Sequence, residues 1–259
     1  MRIVAPVRLT PAPGAKLDAD IAQTRQVLEK FQQAGFGCAL WVVDALPASE
    51  SNMAAWVEGC IKGFPSKPVI ALDESLDKPF DENLLRAFLK EALPKAQAVL
   101  ANHARLSNCS CFEQPVPAIQ AVQTRVQLIR SLAPKAPLWL WLDDCDKARA
   151  EIPRWTAQLA PLVDGYAVSR PHGWNAALSA DSAARPDWAA GKPVLRAGFR
   201  YDAARVRPGT EAEAKANYRS RVARYEAWVS KQGYAGYMRE IGEPKDQAHL
   251  GYVAALGEE

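Results

Sequence analysis

Five carboxylates stand at the ends of short apolar runs in this sequence: Asp73, Glu74, Asp143, Asp144 and Glu240. Two carboxyl groups facing one substrate can divide acid and base work. One donates a proton to a leaving oxygen, and the other attacks the substrate or activates water. In that scheme Glu240 is the proton donor, Asp143 or Asp144 is the nucleophile or base, and Asp73 with Glu74 forms a reserve pair. Only one of Asp143 and Asp144 can aim at a common centre, because successive side chains on a strand face opposite ways. The same acids have a plainer use, pairing with arginines to hold strand ends together. Asp73, Glu74 and Asp143 also suit a single Mg²⁺, since hard cations prefer carboxylates. The reading adopted has no metal and no cofactor.

Six arginines lie near the same run ends: Arg8, Arg105, Arg170, Arg196, Arg200 and Arg239. Their guanidinium groups suit bidentate recognition of a carboxylate or phosphate on a substrate. Arg196 shares strand parity with Arg200 and Asp202, and reads as a structural arginine inside a barrel, paired with a neighbouring acid. The expected binding set is Arg8, His103, Arg105, Arg170, His172, Trp174, Arg200, Tyr201 and Arg239. Trp174 sits in a Pro-His-Gly-Trp-Asn stretch and offers a flat face for stacking. Residues 106–117, with Phe112, form the longest loop and a candidate lid. Trp41, Trp139, Trp141 and Trp228 are expected instead to pack helices onto strands.

The elements that must position these residues alternate regularly. Strands are expected at 2–8, 37–44, 68–74, 98–105, 137–144, 165–170, 193–201 and 235–241, each short, apolar and often preceded by Gly or Pro. Between them run helical patterns at 22–34, 84–93, 118–132 and 211–231, with apolar residues three or four apart. Ser49 and Asp81 read as N-caps, Thr210 with Glu213 as a capping box, and Pro117 as a first-turn residue. Gly35, Gly63 and Gly233 stand where helices should stop. Eight alternating units imply a parallel sheet with right-handed crossovers. The expected fold is therefore α/β, a single (β/α)8 TIM barrel formed by residues 1–259 as one domain. Its polar strand ends then gather at one mouth, where such barrels do chemistry.

Absences narrow the chemistry. No lysine ends an expected strand, which disfavours a Schiff-base aldolase. Only His103, His172 and His249 occur, with no H-x-H or H-E-x-x-H, so a multi-histidine metal hydrolase is disfavoured. G-x-S-x-G is missing, and the first βα turn lacks G-x-G-x-x-G. Five cysteines without framework spacing argue against a disulfide scaffold, and Cys109-Ser-Cys111 reads as ordinary loop thiols. A net charge of +3 without a basic run excludes nucleic acid as the expected partner. Neither a signal-peptide stretch nor a membrane-length apolar run is seen, so a soluble, cytoplasmic chain without membrane partners is expected. Oligomeric state is left open.

In length, tryptophan content and acidic strand ends, the chain resembles the barrel domain of the glycoside-hydrolase superfamilies. That resemblance implies a carbohydrate-active hydrolase, with a small-molecule or glycan ligand that the arginines would favour as acidic or substituted. It departs from the familiar pattern of a glutamate after an asparagine on strand four and another ending strand seven. Here the corresponding residues are Asn102-His103 and Arg200-Tyr201-Asp202. Two alternatives stand beside it. One is a lyase or isomerase acting on a small phosphorylated or carboxylated substrate, with or without Mg²⁺. The other is a non-catalytic barrel serving as a glycan-binding or assembly module.

Overall fold

The structure is a computed structural model, and it describes residues 2–6, 25–26, 28–29, 31–33, 35–43, 46–74, 79–102, 119–143, 152–169, 185–199 and 211–241. Eight parallel strands pair in sequence order: β1 (Arg2–Pro6), β2 (Gly37–Val43), β3 (Val69–Asp73), β4 (Ala98–Asn102), β5 (Leu138–Asp143), β6 (Gly165–Ser169), β7 (Val194–Phe199) and β8 (Gly236–Ile241). Strand β1 pairs in turn with β8, from Arg2 opposite Tyr237 to Pro6 opposite Ile241, and the sheet curls into a closed ring. The described α-helices are α1 (Met53–Ile61), α2 (Glu82–Ala92), α3 (Ile119–Leu132), α4 (Ile152–Leu159) and α5 (Glu211–Lys231). Residues 25–26, 28–29 and 31–33 are helical as well. The complement of one helix after every strand is not covered by the described residues.

Local chemistry accounts for these elements. Helix α2 starts at Asp81, whose Oδ1 accepts the amides of Asn83 and Leu84 at 2.9 and 3.0 Å. That cap satisfies two of the donors a helix start leaves over. Its buried stripe is Leu85, Phe88, Leu89 and Ala92, three or four apart. Ser49 behaves otherwise than expected: it makes no side-chain cap, and its hydroxyl lies 3.0 Å from that of Ser51. Gly35 and Gly233 close their helices at φ of 80° and 77°, where a Cβ would be strained. Thr210 and Pro117 lie outside the described residues.

Strand alternation divides the apolar side chains into two layers. Cys38, Leu40, Val42, Ile70, Leu72, Val99, Leu140, Tyr166, Val168 and Tyr237 pack outward with Phe31, Val57, Phe88, Val126, Trp155 and Tyr225 from helical segments. Ala39, Val69, Ala71, Ala98, Leu100, Trp141, Ala167, Leu195, Ala197 and Met238 form a separate inner cluster, with Trp41 and Trp139 against it. Five of those inner residues are alanines, and their small side chains leave room for three indoles. The expectation that Trp41, Trp139 and Trp141 glue helices to strands is thereby corrected. Trp228 does pack in the helical layer, its ring 5.5 Å from that of Tyr225.

Gly165 is required by this inner packing. A Cβ there would come within 2.6 Å of the Trp139 ring and 2.9 Å of the Pro193 carbonyl oxygen. Gly165→Ala is expected to destabilise the fold by about 1–3 kcal/mol, as overpacked cores do, measured as a drop in urea midpoint at unchanged m-value.

At the strand starts, one side chain joins three segments. Arg130 of α3 donates to the Leu162 and Ala136 carbonyls at 2.8 and 3.0 Å and to Asp164 Oδ2 at 2.7 Å. The same oxygen accepts the Leu138 amide at 2.7 Å, which seats the beginning of β5. Burial alone would raise the Asp164 carboxyl, but the Leu138 amide and Arg130 outweigh it and hold the group below its ordinary value. A carboxyl lowered on folding stabilises the protein above its unfolded value, about 3.9 for aspartate, and loses that contribution as pH falls through the folded value. Urea midpoints should therefore fall below about pH 4, and Asp164→Asn should flatten that acid limb while lowering stability at neutral pH.

Candidate active site

The carboxyl ends of the strands gather the polar residues. In register, Asp73 of β3 stands beside Val43 of β2 and Asn102 of β4, and Asn102 stands beside Trp141 of β5. Asp143 ends β5 opposite Ser169, the last residue of β6. Arg239 and Glu240 lie near the end of β8, opposite Val4 and Ala5 of β1. The strand starts contribute Gly37, Val69, Ala98, Leu138, Gly165, Val194 and Gly236 instead, with Arg2 of β1 the one charged residue among them. All the strand acids are at one end.

Asp73 is the best-defined group at that end. It is 2 % exposed and shares strand parity with Val69 and Ala71 of the inner cluster. Its Oδ2 accepts the indole Nε1–H of Trp41 at 2.9 Å. The Trp41 ring is in turn 5.2 Å from that of Trp141, tilted by 52°. A carboxylate kept from water costs free energy unless it is hydrogen-bonded, and the indole supplies such a bond. Low local dielectric strengthens the electrostatic interaction of such a group with a bound substrate.

Glu74, the next residue, goes the other way. Its two carboxylate oxygens take a bidentate fork from Arg125 of α3, Nε to Oε1 at 2.9 Å and Nη2 to Oε2 at 2.7 Å. Oε2 also accepts the Phe80 amide at 2.8 Å, and Arg125 Nη2 reaches the Phe80 carbonyl at 3.2 Å. Glu74 is 1 % exposed and the half-buried Arg125 carries the matching charge, so the pair is a clamp among β3, α3 and the start of α2. The expected reserve pair of Asp73 and Glu74 is therefore not brought together on one substrate face.

Arg196 is 3 % exposed and belongs to the outer layer, not the barrel interior. Its neighbours Leu195 and Ala197 are in the inner cluster, and its Nη1 lies 3.4 Å from the Val168 carbonyl. Tyr225 of α5 is a phenol that burial raises and the nearby Arg196 guanidinium lowers less strongly. Beyond Arg196 the strand carries an extra residue. Arg196 is level with Tyr237 and Phe199 with Arg239, so three steps on β7 match two on β8. The parity argument that grouped Arg196 with Arg200 and Asp202 does not carry across this bulge.

Asp143, Arg239 and Glu240 are placed by their backbone positions in β5 and β8. Arg8, His103, Arg105, Asp144, Arg170, His172, Trp174, Arg200 and Tyr201 lie outside the described residues, as do Phe112, Cys109 and Cys111. Among the described residues no three His, Cys, Asp or Glu side chains cluster in a way that could hold a metal ion. Burial pushes the Cys38 and Cys60 thiols up to about 12, which leaves them poor nucleophiles at neutral pH. The partners that matter most here, Trp41 and Arg125, are not among the residues nominated from sequence. A tryptophan near a strand end was the available signal for the first; nothing local pointed to the second.

No protein-family model matches the sequence, and no curated protein sequence matches it. Solved structures do match. A homocysteine methyltransferase from Escherichia coli is 12% identical with a TM-score of 0.52, over 96% of this chain and 94% of that one. An N-acetylneuraminate lyase from Proteus mirabilis is 8% identical with a TM-score of 0.49, over 92% and 69%. A sialic acid aldolase from Ruminococcus gnavus is 11% identical with a TM-score of 0.43, over 92% and 67%. At such identities the likeness is one of fold, and the fold is of the TIM-barrel type. The expectation of a glycoside hydrolase is corrected here: the similar structure with a TM-score above 0.5 is a methyltransferase, and one of the five nominated acids, Glu74, is engaged by Arg125. No helix among the described residues is long and apolar enough to cross a membrane.

Proposed function

We propose that residues 1–259 form one (β/α)8 domain, and that it is a lyase or isomerase acting on a small carboxylated or phosphorylated substrate. The observation that carries this reading is the buried Asp73 carboxylate on the inner face at the C-terminal end of β3, held by the Trp41 indole. In this reading Asp73 moves the proton at a carbon beside the substrate's carbonyl or carboxyl group. Asp143, Asp144 and Glu240 supply the complementary acid from other strand ends. Arg8, Arg105, Arg170, Arg200 and Arg239 hold the substrate's negative charge, while His103, His172, Trp174 and Tyr201 shape the rim. Glu240 stands two positions beyond Met238 of the inner cluster, which supports its place in the set. None of the eight strands contains a lysine, which favours proton transfer over Schiff-base chemistry from the sheet.

The test surveys substrate classes and reads proton transfer directly. Purified protein is incubated in D2O with small 2-oxo acids, hydroxy acids and sugar phosphates, and proton spectra follow C–H loss and any cleavage products. Exchange or cleavage with at least one class is expected. A parallel series with chelator and then Mg²⁺ separates metal-dependent from metal-independent turnover. Silence across the whole set, with and without Mg²⁺, would remove the proposal.

A further inference from the structure

We propose that Arg125 is a positioning residue for the Asp73 carboxylate, acting through Glu74; this rests on the reading of Asp73 as the reacting group. Asp73 and Glu74 share a peptide bond, and alternation sends their side chains to opposite sides of the sheet. Fixing the outer carboxylate therefore fixes the twist of that peptide and the direction in which the inner one points. The outer side is fixed from two directions. Arg125 grips both Glu74 oxygens at 2.9 and 2.7 Å, and the Phe80 amide adds a third bond at 2.8 Å. Arg125 comes from α3 and Phe80 from just before α2, so two helices set the position of one strand end. On the inner side the Trp41 indole bond to Asp73 records the result. A buried charge pair contributes little net stability against an apolar equivalent, so such a clamp is better explained by what it orients.

A planar fork is what makes the clamp directional, and a lysine keeps the charge without the fork. Arg125→Lys is therefore the informative variant. Hydrogen exchange of the Trp41 Nε1–H in D2O, followed by ¹H–¹⁵N spectra, reads the inner bond directly, with Asp73→Ala setting its unprotected limit. The Val99 and Tyr166 amides, which bond to Pro137 and Pro193 carbonyls, report the rest of the sheet. Arg125→Lys should speed Trp41 exchange about tenfold or more while those two amides change little, because local opening is separable from global unfolding. Unchanged Trp41 protection, or protection lost equally at all three protons, would overturn the proposal. Glu74→Gln provides the same reading should the lysine variant fail to fold. On any substrate found in D2O, Arg125→Lys should lower kcat about tenfold with KM held within about twofold. A change in KM alone would count against it. The exchange measurement needs no turnover, so it decides the clamp even where the lyase or isomerase reading fails.

Discussion

Replacing Arg125 with methionine is expected to destabilise the protein by about 3–5 kcal/mol. The reason is the partner left behind. Glu74 is 1 % exposed, and methionine fills much of the arginine's volume without offering a charge or a hydrogen bond. The carboxylate would then keep only the Phe80 amide at 2.8 Å. An uncompensated buried charge costs far more than the pair contributes when intact, because desolvation has already been incurred. Urea unfolding followed by tryptophan fluorescence measures the loss. The double variant Arg125→Met/Glu74→Leu should recover most of it, since a hydrophobic pair of similar volume replaces the ions. A loss below about 1 kcal/mol in the single variant would mean that water reaches Glu74 and that the clamp is not dry.

Asp73→Asn should do the reverse, leaving stability nearly intact and removing turnover. Asparagine has almost the same shape, and its carbonyl oxygen can accept the Trp41 indole proton as the carboxylate does at 2.9 Å. What it cannot do is take or return a proton. General acid–base groups contribute about 10²- to 10⁴-fold to rate, so deuterium incorporation into a responsive substrate should fall by that factor. Circular dichroism and the urea midpoint should stay close to those of the parent. An exchange rate unaffected by the substitution would take Asp73 out of the reaction and leave Asp143 or Glu240 as the remaining strand acids to test.

The order of elements was legible in the sequence because parallel strands buried on both faces announce themselves. Runs such as Val69–Asp73 and Leu138–Asp143 are continuously apolar up to an acidic end. Helix α2 was equally legible, since Asp81 and the Leu85, Phe88, Leu89 spacing are local signals that tertiary structure had no reason to override. The polar strand ends followed from the same reading. Once strands run parallel, their carboxyl ends must share one side.

Which side of each strand faces the barrel interior was decided elsewhere. In Leu138-Trp139-Leu140-Trp141-Leu142 both parities are apolar, so no polarity difference marks inside from outside. Closure of the sheet through β1 and β8 makes the inside the crowded side, and the alanines of neighbouring strands leave the space the indoles fill. The split between Asp73 and Glu74 has the same origin. Two adjacent carboxylates are chemically almost alike, and a residue 51 positions further on determines that one is clamped against α3. Composition and periodicity settle the kind and sequence of elements because those depend on neighbours along the chain. The ring's curvature, the bulge in β7 and the meeting of Arg125 with Glu74 depend on neighbours in space, and only the folded chain brings those together.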